Sequence, residues 1–146
     1  MNTLRTLLLV DDNDDDLFFT KNAIKEARLS TGVRTAADGQ EAVDYLAGTG
    51  KFQDREAFPL PALMLLDLKM PGKSGLEVLE WARQQPGLRT LVVVILATSC
   101  EPRDIEKAYQ LGANSFLQKP SNTAVLAEMM SALKNYWLSY DQFITS

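Results

Sequence analysis

The sequence predicts an α/β domain with a doubly wound, five-stranded parallel sheet flanked by five helices. Three observations predict it. Short apolar runs bounded by turn residues occur at Leu7–Val10, Leu63–Leu66 and Leu91–Ala97, with weaker ones at Val33–Ala37 and Ser115–Gln118. Runs that are apolar throughout, and do not alternate, suit strands covered on both faces, as in a parallel sheet. Between the runs, apolar residues return at helical spacing, so strand and helix alternate five times.

The elements follow in chain order. LLLV at 7–10 is the first strand, and Leu17, Ile24 and Ala27 mark the helix after it. Asp14, Asp15 and Asp16 open that helix, where acidic residues cap exposed N–H groups and match the dipole. Val33–Ala37 is the second strand, and Ala42, Val43 and Leu46 a short second helix. The stretch Gly48–Pro61 is expected to be a long polar loop before the third strand. Leu76, Leu79 and Ala82 mark the third helix; Ile105, Ala108, Tyr109 and Gly112 mark the fourth, after the Leu91–Ala97 strand. Beyond Ser115–Gln118, a single stripe of Leu126, Met129, Met130, Leu133 and Trp137 marks the last helix, with the methionines as core or partner-facing packing. No repeat or linker divides residues 1–146, which are expected to form one domain with a short tail at Ser139–Ser146.

Composition excludes several function classes. A net charge of −4 lends no electrostatic support to a nucleic-acid interface. The longest apolar run is too short to span a bilayer, and the first residues lack a signal-peptide core, so a cytoplasmic location is expected. Cys100 is the single cysteine, which rules out an internal disulfide and a multi-cysteine metal site, and a lone loop thiol is read as unreactive. The chain has no histidine, so neither a histidine triad nor a self-contained phosphohistidine step can be built from it.

In an open parallel sheet, ligands sit beyond the carboxyl ends of the strands. The first strand ends in Asp11 and Asp12, the third in Asp67, the fourth in Thr98 and Ser99, and the fifth in Lys119–Pro120. If the first and third strands are neighbours, three carboxylates converge on one edge, faced by a lysine. Oxygen ligands without histidine suit a hard cation, Mg²⁺ before Zn²⁺.

The set VDDND, LLDLKMPGKSG, ILATS and FLQKP resembles the receiver domain of two-component response regulators, across roughly Thr6 to Tyr136. The interval of 52 positions from Asp67 to Lys119 matches that family. The long loop before the third strand, the single-domain length and YWLSY near the end resemble regulators that serve phytochrome kinases. The resemblance implies a flavodoxin-like receiver fold and a stand-alone regulator that works through protein contacts. Asp67 would take a phosphoryl group from a phosphohistidine on a separate sensor kinase or phosphotransfer protein. Mg²⁺ would be held by Asp12, Asp67 and the Lys69 backbone carbonyl, with Asp11 direct or through water. Lys119 would pair with Asp67 and then with the phosphoryl group, aimed by a cis bond before Pro120. Met70–Pro71–Gly72, with Gly75 three on, would turn the chain into the third helix. The domain would assist its own phosphotransfer and dephosphorylation, and would not be an enzyme in its own right.

One departure from the family stands out. Receivers usually carry Thr or Ser 30 positions after the acceptor, and here that residue is Ala97. The switch hydroxyl is therefore expected to be absent, leaving the Thr98 backbone N–H to meet the phosphoryl group. By the same resemblance, Ser99 and Lys69 stand where receivers carry the residues that tune dephosphorylation, and Phe116 stands at the family's aromatic switch position without a hydroxyl. Ala97 also supports the alternative of a phosphorylation-independent pseudo-receiver that only binds partners. An aspartyl-phosphate hydrolase is opposed by Lys69, which stands where such enzymes place a second Asp. Trp137 and Tyr140 fit either a homodimer contact or simple packing.

Overall fold

The computed structural model describes residues 6–27 and 32–140. Five strands, β1 (Leu7–Val10), β2 (Val33–Ala36), β3 (Leu63–Asp67), β4 (Val92–Ala97) and β5 (Ser115–Gln118), form one parallel sheet in the order β2-β1-β3-β4-β5. The helices are α1 (Asp14–Glu26), α2 (Gly39–Ala47), α3 (Gly75–Gln84), α4 (Pro102–Gln110) and α5 (Thr123–Leu133), the last continued by a π-helical segment, Lys134–Tyr140.

Side-chain alternation along each strand divides the core in two. Leu8, Val10, Met64, Leu66, Val93 and Ile95 face α2, α3 and α4, where Tyr45, Val78, Leu79 and Ala108 meet them. Leu7, Leu9, Leu63, Leu65, Val92, Val94 and Leu96 face α1 and α5, packing on Ala23, Ile24, Leu126 and Met130. The three interior strands are buried along their whole length, which is why they are continuously apolar. β2 and β5 are edge strands, partly exposed, and correspondingly weaker in sequence.

The stretch Gly48–Pro61 is the expected long loop, with one 3-10 turn at Gly50–Phe52, but it is pinned to α2 by contacts its polar composition does not suggest. Phe52 is buried and packs on Tyr45 and Phe58, with ring centroids 5.0 and 5.1 Å away. Arg55 donates to the carbonyl oxygens of Tyr45 and Leu46, both at 2.8 Å, and so satisfies the C-terminal end of α2. Trp137 packs against the α1–α5 side of the core, while Tyr136 beside it is exposed. The Tyr140 side chain and residues 141–146 of the expected tail lie outside the described residues. No helix among the described residues is long and apolar enough to cross a membrane.

Candidate functional site

Adjacency of β1 and β3 in register, with Val10 opposite Leu66, brings Asp11 beside Asp67. Both fall on the alternation that points toward α1 and α5, and both are buried; Asp12 is exposed at the rim. One oxygen from each of Asp11, Asp12 and Asp67 lies within 4.8 Å of the others. Asp11 also accepts from the Asn13 N–H at 3.0 Å, which fixes one of its oxygens.

Lys119 follows β5, and its N–H donates to the Ala97 carbonyl at 2.8 Å, which anchors its backbone beside the end of β4. Its Nζ reaches Asp11 at 2.7 Å, Asp16 at 3.1 Å and Asp67 at 3.3 Å. No cis peptide bond occurs among the described residues, so the Lys119–Pro120 bond is trans, against the expectation drawn from the resemblance. Trans is ordinarily the lower-energy isomer by about 0.5–1 kcal/mol. Here the lysine is aimed by its backbone hydrogen bond and by the three carboxylates.

Charge and burial perturb the two central groups. Burial raises the Asp67 carboxyl from 3.8 to about 6; Lys119 opposes that rise, and Asp11 and Asp12 add to it. For Lys119, burial pulls the pKa down, but the hydrogen bond to Asp11 and the charges of Asp67 and Asp11 outweigh it, and the ammonium is held above the ordinary lysine value. At neutral pH Asp67 is therefore largely ionised and Lys119 charged.

These groups line a cavity of about 250 Å³ together with Asn13, Leu68, Lys69, Ala97, Thr98 and Ser99. Ala97 is buried and belongs to the α2–α4 side of the core, so its methyl group stands at the cavity wall where no hydroxyl is available. Thr98 and Ser99 are exposed. Thr98 also borders a second groove with Asp16, Leu96 and Pro120, on the α1–α5 side. Phe116 packs partly buried against the α2–α4 core, and its N–H donates to the Tyr109 hydroxyl at 3.1 Å. Cys100 is half-buried against that same core, outside the cavity lining.

The turn that carries β3 into α3 is tightly built. Gly72 takes a positive φ of 73°, and Gly75 donates its N–H to the Leu68 carbonyl at 2.9 Å. A Cβ on Gly75 would run into the Asp67 backbone carbonyl, so only glycine lets α3 start this close to the acidic cluster. Ser74 and Glu77 then form a reciprocal capping box. Pro71 and Lys69 are exposed on this turn.

Asp16 does not cap α1, although its place in the first turn suggests that it would. The N-cap is Asn13, whose side chain accepts from the Asp16 N–H at 3.0 Å, while the Asp16 carboxylate pairs with Lys119. A signal was available: Asp16 precedes buried Thr20, Ala23 and Ile24 on the inward stripe of α1, whereas Asp14 and Asp15 are exposed.

The family model for the response regulator receiver domain matches residues 7–131. The response regulator Rcp1 of Synechocystis is 32% identical over 137 residues, covering 94% of this chain and 91% of Rcp1. The crystal structure of the phosphorylated cyanobacterial phytochrome response regulator RcpA is similar with a TM-score of 0.89 at 31% identity, covering 98% of this chain and 100% of that one. The Mn²⁺-bound form of Rcp1 gives a TM-score of 0.85 at 31% identity, covering 97% of this chain and 99% of that one.

Proposed function

The chain belongs to the response regulator receiver family and has a phosphoacceptor role in two-component signalling; from that premise we propose that Asp67 is the acceptor, loaded by a phytochrome-type sensor histidine kinase or a phosphotransfer protein. The observation that carries this reading is the placement of the Asp67 carboxylate, 3.3 Å from the Lys119 ammonium and grouped with Asp11 and Asp12 at the carboxyl end of the sheet.

An Asp67 oxygen attacks the phosphorus of a phosphohistidine; the P–N bond breaks, its electron pair returns to the imidazole, and an aspartyl phosphate forms on the domain. Asp67 must be ionised to attack, which a pKa of about 6 permits at neutral pH. Lys119 lies close enough to follow the charge from Asp67 to the phosphoryl oxygens. Thr98 and Ser99 line the cavity beside Asp67; the Thr98 backbone N–H would meet the phosphoryl oxygens, and Ser99 with Lys69 would tune hydrolysis of the acyl phosphate by water. In this way the domain assists both its own phosphorylation and its dephosphorylation.

The donor set fits a hard divalent cation, with oxygen ligands from Asp11, Asp12 and Asp67 and no histidine or thiolate among them. Asp11, Asp12, Asp67 and the Lys69 carbonyl would hold Mg²⁺, which when bound offsets negative charge at the transferring group. Similarity to a phosphorylated phytochrome regulator and to a Mn²⁺-bound one supports the donor class and the cation. A cytoplasmic location and a homodimer contact on the segment after α5 complete the proposal; there Trp137, one of the two aromatics expected at such a contact, packs inward, and its neighbour Tyr136 offers the exposed ring. Concentration-dependent sedimentation that Tyr136→Ser abolishes would support the dimer.

The test of the acceptor is transfer of radiolabelled phosphate from an autophosphorylated phytochrome-type kinase. Labelling of the wild type and none of Asp67→Asn is expected. Equal labelling of both would remove Asp67 from the reaction.

A further inference from the structure

Three carboxylates surround the Lys119 ammonium, and an ammonium has three N–H donors. Asp11 and Asp67 belong to the candidate cation cluster; Asp16 does not. Nor is the Asp16 carboxylate occupied in capping its own helix, since Asn13 does that. Asp16 sits on the inward stripe of α1, half-buried and 3.1 Å from Nζ, and borders the groove that runs from the site between α1 and α5. Among the described residues, it is the one carboxylate partner of Lys119 outside the Asp11, Asp12 and Asp67 cluster.

We propose that Asp16 is a positioning residue that competes with the phosphoryl group on Asp67 for the Lys119 ammonium, and so sets from helix α1 how tightly the phosphorylated state is held. This rests on the reading of Asp67 as acceptor. When phosphoryl oxygens are added at Asp67, the ammonium shifts toward them against the pull of Asp16. The Asp16 side chain is 41% exposed, so water moderates that pull. Removing it should tighten the phosphorylated state by about two- to fivefold, the scale of one partly exposed ion pair.

The test uses beryllofluoride as the phosphoryl mimic, titrated into the Mg²⁺-saturated protein and followed by backbone amide NMR, with the Mg²⁺ affinity of each variant measured separately. Asp16→Asn should bind beryllofluoride about two- to fivefold more tightly than the wild type, and Asp16→Glu, which keeps the charge, should return toward it. In a Lys119→Ala background Asp16→Asn should change nothing, because the effect runs through the lysine. Unchanged affinity in Asp16→Asn would overturn the proposal. Equal tightening with and without Lys119 would also overturn it, since Asp16 would then act only through its field. Failure of the wild type to bind beryllofluoride would instead overturn the acceptor reading, and this inference with it.

Discussion

Asp67→Asn should make the metal-free protein more stable at neutral pH, although it removes the acceptor. Asp67 is buried at the end of β3 with Asp11 and Asp12 as neighbours, and its pKa stands at about 6 against an ordinary 3.8, with burial as the largest cause. The folded protein thus binds this proton more tightly than the unfolded chain does. Holding the group ionised costs the fold about 3 kcal/mol above its folded pKa of about 6, and the cost fades as pH falls toward the unfolded value near 4. Asparagine keeps the shape and removes the charge. In urea unfolding at about pH 7.5 without divalent cations, the variant should exceed the wild type by about 2–3 kcal/mol. The gap should shrink to about 1 kcal/mol at about pH 4.5 and close only below the unfolded pKa of 3.8, and it should narrow when Mg²⁺ binds the folded wild type. Equal stability at neutral pH, or a gap that persists in acid, would refute the claim that burial and neighbouring carboxylates burden Asp67.

Lys119→Ala leaves Asp11 and Asp67 buried without their cation, and should destabilise the metal-free protein by about 3 kcal/mol at neutral pH, read by the same urea titration. It should still bind Mg²⁺ but hold beryllofluoride far more weakly than the wild type. Gly75→Ala drives a methyl group against the Asp67 carbonyl, and should cost about 1–3 kcal/mol and disturb the amide signals of the β3–α3 turn. Ala97→Thr supplies a hydroxyl at the cavity wall; it should tighten beryllofluoride by about tenfold, the worth of a hydrogen bond to a charged group, as measured by titration.

What the sequence made legible follows from how local each feature is. β1, β3 and β4 stand out because burial on both faces forbids polar residues, whereas β2 and β5 lose that signal where an edge meets solvent. Asp11, Asp12, Asp67 and Lys119 could be named because strand ends in a parallel sheet define where ligands sit. How Lys119 divides itself among Asp11, Asp16 and Asp67 could not, since partners more than 50 residues distant are set by side-chain reach and not by any local pattern. Asp16 looked like a cap because the capping rule is local, and Asn13 satisfied it first. Phe52, Arg55 and Phe58 were hidden among polar neighbours, and only their contacts with Tyr45 show that Gly48–Pro61 completes α2.

Backbone amide spectra with Mg²⁺ and beryllofluoride, recorded beside those of Asp67→Asn, test most directly whether phosphoryl chemistry resides at Asp67. Shifts clustered at residues 11–12, 67 and 97–99, absent from the variant, are the expected result. Shifts that continue into Phe116 would show that the signal spreads without a hydroxyl at position 97. Spectra unmoved in the wild type, or moved identically in Asp67→Asn, would contradict the assignment of Asp67 as the acceptor.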